Sequence, residues 1–292
     1  MRGARPESAI EQAIERDGVV RSGDRVVVAC SGGVDSIALA AVLAAVRNPL
    51  ELDLALAYVH HGTRESAWQD ECVVLRVGAT LGIPVVVASL SPDSQDEESL
   101  RDARYAELCR IARERGADVV ATAHHREDQS ETVLLALFRG AGPDGLAGMR
   151  PRRLLAEGVE LIRPLLQIGT EDLRRYVHVQ ALPYAVDPTN ADAGLRRNAL
   201  RQALAALRPL FPGLDAAVAR AAELTGADLE GSERSGLRRQ VRQALEEQEG
   251  LRDVDFLHVE AAVRALESGA SGRFHMKPGV ELRIERGHIL ND

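Results

Sequence analysis

Cysteine is scarce. Cys30, Cys72 and Cys109 are widely spaced, and no Cys-x-x-Cys pair occurs. That argues against a disulfide framework, a zinc knuckle or an iron–sulfur site, and it suits a reducing cytoplasm. Aromatic residues make up only 3% of the chain, which weakens any case for base reading on exposed rings. No apolar run approaches a membrane span and no apolar signal core opens the chain, so neither an anchor nor a secretory leader is expected. Positive charge is also in deficit. The net charge of −8 argues mildly against nucleic acid as a partner. Arginines nevertheless gather locally: Arg150, Arg152, Arg153 and Arg163; Arg174 and Arg175; Arg196, Arg197, Arg201 and Arg208; Arg234, Arg238, Arg239 and Arg242. Most such groups solvate a helix face, but together they permit an RNA-binding face.

What is present is concentrated in Val26-Val27-Val28-Ala29-Cys30-Ser31-Gly32-Gly33-Val34-Asp35-Ser36. A β-branched run breaks at Ser-Gly-Gly, and Ile37, Leu39, Val42 and Leu43 then resume with helical spacing. Glycines at a strand-to-helix turn let backbone N–H groups crowd an anion, and the helix N-terminus adds positive dipole. No Lys follows, so this is not the Gly-x-x-x-x-Gly-Lys-[Ser/Thr] loop, nor is it Gly-x-Gly-x-x-Gly. The Ser-Gly-Gly-x-Asp-Ser string resembles the loop of ATP pyrophosphatases, which grip the terminal phosphates and split ATP into AMP and pyrophosphate.

Strand patterns at 25–30, 52–59, 84–90 and 118–123 alternate with helical patterns at 37–46, 67–81, 99–115 and 129–138. This predicts an α/β fold with a doubly wound, mainly parallel sheet, and ligands beyond the carboxyl ends of its strands. Those ends carry Ser31-Gly32-Gly33, His60-His61-Gly62, Ser91-Pro92 and His124-His125. The Gly-rich segment 140–148 reads as a connector or an active-site cover, 161–166 as a further strand, and Thr170 as a helix N-cap. The pattern changes after Pro212-Gly213. We therefore expect a catalytic domain over 1–212, and a small α-rich domain over 213–292 with helices interrupted near Gly231 and Gly236 and short hairpins at its end.

A second motif, Thr122-Ala123-His124-His125-Arg126-Glu127-Asp128-Gln129-Ser130-Glu131-Thr132, follows a strand and opens a helix. Asp128 and Glu131 are spaced to share a helical face near its positive end. An acidic first turn alone would serve as a stabiliser, but two preceding histidines make that account less adequate. Paired histidines at strand ends more often pack and hydrogen-bond than bind metal, so no protein metal site is expected. Cys30, Tyr105 and Phe138 are expected in the core.

With both motifs in place, the chain resembles the tRNA(Ile)-lysidine synthetase family of PP-loop ATP pyrophosphatases. The resemblance runs to about residue 212. It includes the 31–36 loop, Val59-His60-His61-Gly62 with Arg64, Ala103-Arg104-Tyr105, and the Thr122–Thr132 string. Further matches are Leu134-Leu135, Arg139-Gly140-Ala141-Gly142, Gly145-Leu146-Ala147-Gly148-Met149, Arg163-Pro164-Leu165-Leu166, Asp187-Pro188-Thr189-Asn190 and Arg197-Asn198.

The resemblance implies a ligase acting on the wobble cytidine of isoleucine tRNA with a CAU anticodon. ATP adenylates the oxygen on carbon 2, and the ε-amine of free lysine then displaces AMP. It assigns ATP binding to Ser31, Gly32, Gly33, Val34, Asp35 and Ser36, with Mg²⁺ as charge neutraliser. Arg104, Asp128 and Glu131 are then catalytic, and His60, His61, His125 and Arg197 bind substrate. A homodimer follows by family analogy alone. The chain departs from the family at Glu127, where Asp is common, and at Leu195, where Tyr is common. Its tail is short beside long members that add a tRNA-clamping domain. Two alternatives stay open: a thiolase-like PP-loop enzyme, though that chemistry generally uses paired cysteines, and an inert tRNA-binding homologue.

Overall fold

The computed structural model describes residues 6–60, 67–90, 97–185, 195–230, 233–247, 254, 256–277 and 280–290. The chain forms two compact units, Met1–Glu131 with Arg150–Ala216, and Thr132–Met149 with Ala217–Asp292.

The first unit is built on β1 (Arg25–Ala29), β2 (Asp53–His60), β3 (Val85–Ser89), β4 (Val119–Ala121), β5 (Arg152–Ala156) and β6 (Val159–Ile162), in the order β3-β2-β1-β4-β6-β5. Every neighbouring pair is parallel except β5 with β6. Before β5 the first unit carries α1 (Pro6–Asp17), α2 (Val34–Val46), α3 (Ala67–Leu81), α4 (Glu97–Arg115) and the start of α5 (Arg126–Phe138), while the rest of α5 and α6 (Pro143–Leu146) belong to the second unit. After β6 come α7 (Thr170–Val179) and α8 (Leu195–Leu207).

The strands read as apolar runs because both faces of the sheet are covered. Val26 and Val28 pack into a cluster with Ile14 of α1, Leu39 and Leu43 of α2 and Leu173 of α7. Val27 points the other way, into Leu108, Ile111 and Ala112 of α4. The chain winds outward through β2 and β3, then returns to place β4 on the opposite flank of β1. Crossovers thus leave in opposite directions at β1 and β4. That is the switch point at which an open α/β sheet forms its ligand crevice.

In the second unit, α9 (Leu214–Glu230), α10 (Glu233–Glu247) and α11 (Phe256–Ser268) precede an antiparallel meander of β7 (Gly272–Lys277), β8 (Val280–Glu285) and β9 (His288–Leu290). Val241, Leu245, Val263, Met276 and Leu282 fill its core.

Several expectations need correction. Gly236 interrupts nothing, since α10 runs through it. Phe138, expected in the core, is 71% exposed. The N-cap of α7 is Gly169 rather than Thr170, and the strand expected at 161–166 is β6, which ends at Ile162. In the Arg234–Arg242 group, three of the four arginines lie against acids. Arg234 pairs with Glu260 and Glu267, Arg238 with Glu260, and Arg242 lies 4.0 Å from Asp144.

Candidate active site

The loop after β1 is shaped around Ser36. Its hydroxyl donates to Gly33 O at 2.8 Å and receives the Ser31 N–H at 3.2 Å, which curls the chain into a cup. Gly32 sits at φ +88°, and a Cβ there would lie 3.3 Å from Asp70 O, so the turn needs glycine on both counts. Gly33 caps α2 without any side-chain hydrogen bond, and Gly32 O receives the Ala185 N–H at 2.8 Å. The first-turn amides of α2 therefore have no capping side chain, which is the arrangement a phosphate exploits.

Across the switch point, β4 delivers His124 and His125 to the start of α5. Three carboxylates surround His125. Its Nδ1 lies 3.0 Å from Glu127, and its Nε2 lies 3.4 Å from Asp128 and 3.7 Å from Asp35. Asp128 also accepts the His125 backbone N–H at 3.1 Å, closing the first turn of α5. Burial opposes a charge on His125, but the Glu127 hydrogen bond and the charges of Asp128 and Asp35 outweigh it and raise its pKa. Burial likewise pushes Glu127 up, yet the His125 bond, a backbone hydrogen bond and Thr170 bring it down to about 2. For Asp35 burial prevails and raises the carboxyl, and its Oδ1 is buried without a hydrogen-bond partner.

Glu127 also ties two helices together. Its Oε2 accepts the Thr170 N–H at 3.0 Å and the Thr170 hydroxyl at 2.9 Å, so α5 supplies the acceptor for the N-terminus of α7. Glu131, 4% exposed, faces α8 instead. Arg201 Nε donates to its Oε1 at 2.8 Å, Arg197 Nε approaches its Oε2 at 3.5 Å, and Arg201 reaches Asp128 at 3.8 Å.

His124 differs from its neighbour. Its Nδ1 is 2.9 Å from the Thr122 hydroxyl, and burial, reinforced by Arg163, lowers its pKa to about 4. His60 ends β2 with its ring stacked on Tyr58 at 5.7 Å between centroids. Arg104 is exposed on α4. Cys30 and Cys109 are buried in clusters on opposite faces of the sheet, and Cys72 is exposed.

The structure thus brings Asp35, His125 and Asp128 together, and it sets Arg197 against Glu131. Sequence reasoning missed the bridging roles of Glu127, Thr170 and Arg201. Glu127 stood inside the motif as a departure from the family pattern, and Arg201 stood only in a basic group. His61, Gly62, Arg64, Ser91, Pro92 and 187–190 lie outside the described residues.

Residues 5–207 match the profile of the PP-loop domain. A tRNA(Ile)-lysidine synthase of Salinispora arenicola is 40% identical over 232 residues, 77% of this chain and 69% of that protein. Those of Ralstonia nicotianae and Geobacter sulfurreducens are 42% and 40% identical over 68% and 72% of this chain. The chain spans 44% and 46% of the length of these two relatives. Among solved structures, a U34-tRNA thiolase from Methanococcus maripaludis with a [4Fe-4S] cluster superposes with a TM-score of 0.63 at 18% identity, over 76% of this chain and 78% of that one. At that identity the likeness is one of fold.

Proposed function

Because this chain belongs to the tRNA(Ile)-lysidine synthase family of PP-loop proteins, we propose that it converts the wobble cytidine of CAU-anticodon isoleucine tRNA to lysidine with ATP and free lysine. One observation carries the reading: the amide-lined loop of residues 31–36 and the Asp35–His125–Asp128 knot meet at the switch point of one sheet. An anion cradle thus stands beside a group of acids able to receive an amine.

In the first step the cytosine oxygen on carbon 2 attacks the α-phosphorus of ATP and pyrophosphate leaves. The α2 amides and the Ser36-braced loop hold the terminal phosphates and stabilise the leaving charge. Mg²⁺ fits here, because Asp35 Oδ1 is buried without a partner and this cation commonly takes one or two carboxylates together with substrate phosphates. When bound it would neutralise pyrophosphate charge. Arg104 is assigned to the developing charge on the nucleotide.

In the second step the lysine ε-amine attacks carbon 2, loses a proton, and AMP departs. A free ammonium has a pKa of about 10.4, so the site must hold the cation and accept a proton. Asp128 and Glu131 are assigned to this amine. The arginines of α8 answer the charge of Glu131 at 2.8 and 3.5 Å, whereas Asp128 meets Arg201 only at 3.8 Å and is the better placed acceptor. His60, His61, His125 and Arg197 are assigned to substrate contacts, and a cytoplasmic homodimer completes the proposal. The burial of Cys30 and Cys109 on opposite sheet faces gives the thiolase alternative no support.

Purified protein with ATP, Mg²⁺, labelled lysine and the tRNA transcript should yield lysine-bearing tRNA, AMP and pyrophosphate. Sulfur incorporation would select the thiolase, and tRNA binding without AMP release the inert homologue. Asp128→Asn should slow lysine transfer by roughly 10²- to 10⁴-fold while sparing pyrophosphate release. Equal loss of both steps would remove Asp128 from the proton-accepting role.

A further inference from the structure

A second basic feature of the first unit has no role in the chemistry above. Two guanidinium groups approach the ring of Tyr105 of α4: Arg101 Cζ is 5.7 Å from its centroid and Arg153 Cζ, from β5, is 5.9 Å away. Arg163, directly after β6, lies close enough to this group for the charges of Arg101 and Arg153 to act on it. It is only 3% exposed, its Nη1 donates to Arg150 O at 2.7 Å, and its Nε is buried without an acceptor.

Several arginines of this unit pair with acids. Arg25 meets Asp118, Arg152 meets Asp24 and Glu160, Arg201 meets Glu131, and Arg208 meets Asp215. Among the described residues, Arg101, Arg153 and Arg163 instead contact a ring and carbonyl oxygens. Burial and the charges of Arg153 and Arg101 lower the pKa of Arg163 to about 10. In a chain of net charge −8, that concentration needs an outside anion. Arg163 follows β6 and His124 follows β4, and these strands are parallel neighbours, so the group sits on the ligand edge of the sheet.

We infer that Arg101, Arg153 and Arg163 around Tyr105 form a phosphodiester-binding site for the RNA strand, separate from the loop that grips ATP. Arg101 and Arg153 are the contacting groups, and buried Arg163 is a positioning residue beside them. This rests on the proposal that RNA is the substrate.

The test is equilibrium binding of the CAU-anticodon tRNA transcript to the full chain without ATP or lysine, across a salt series, beside separate titrations with ATP. Arg101→Ala and Arg153→Ala should each weaken RNA binding roughly tenfold and lower the salt slope by about one. Arg153→Lys should restore the slope, and ATP affinity should stay unchanged. An unaltered RNA affinity and slope in both alanine variants overturns the site. A matching loss of ATP affinity also overturns it, by assigning the group to nucleotide phosphates. Failure of the wild-type chain to make lysidine, with RNA binding and its variant dependence intact, would count against the proposed reaction and leave this site standing.

Discussion

Two buried arginines, one in each unit, show how differently this chain handles the same side chain. Arg238 of the second unit is hydrogen-bonded to Glu260 and lies 3.7 Å from Asp144, with Arg234 completing the network. Arg163 of the first unit has a tyrosine, a carbonyl and two further arginines around it. In the first case the charge is balanced inside the fold and the group holds elements together. In the second the fold concentrates positive charge at a sheet edge, which the RNA site proposed above would use. Sequence clustering did not separate the two. The Arg150–Arg163 and Arg234–Arg242 groups read alike along the chain, and only the folded contacts tell them apart.

The largest effect is expected at Glu260. Removing one partner of a buried pair strands the other, so Glu260→Gln should destabilise the second unit by about 3 kcal/mol, read as lost hydrogen-exchange protection in α10 and α11. Arg163→Met should cost only about 1 kcal/mol, because the lost hydrogen bond to Arg150 O is offset by relief of a buried charge crowded by other arginines. Comparable losses for the two variants, measured by urea denaturation, would erase the distinction. Arg234 is 39% exposed, and Arg234→Ala should cost less than about 0.5 kcal/mol.

The paired histidines sharpen the comparison through pH. His124 beside Arg163 should titrate near 4, whereas His125 among carboxylates should titrate above its ordinary value of 6.5. The signs are opposite. Below pH 6.5 the unfolded chain protonates its His124 first, so this group subtracts stability as pH falls toward about 4. His125 contributes stability that is complete below 6.5 and is lost as pH rises through its folded value. Glu127 contributes above its ordinary 4.5 and loses that contribution as pH falls toward about 2. Imidazole NMR titration reads both histidines, and coincident midpoints would contradict the electrostatics described here.

Much of the fold was legible because its signals are local. A β-branched run, a Ser-Gly-Gly break and a helical apolar pattern identify β1, the loop and α2 without reference to anything distant. Strand β5 escaped notice because Arg152-Arg153-Leu154-Leu155-Ala156 is an edge strand, paired on one side only, and needs no apolar run. Helix α1 carried a readable signal in Ile10 and Ile14, one turn apart and both buried, but its pattern is short and otherwise polar. Within the site, the residue types and the order of the two motifs were readable. The partners were not: Glu127 meets Thr170 and Glu131 meets Arg201 across long stretches of chain.

The order of residues by itself determined a phosphate-gripping turn, an acidic helix start behind two histidines, and a sheet wound in both directions, because each follows from steric freedom, dipole direction and apolar periodicity over a few neighbours. Only the tertiary structure decided which charges are neutralised and which remain available. Carboxylate and guanidinium side chains settle their states by what burial and long-range contact place within a few ångströms, and spacing along the chain does not encode that distance.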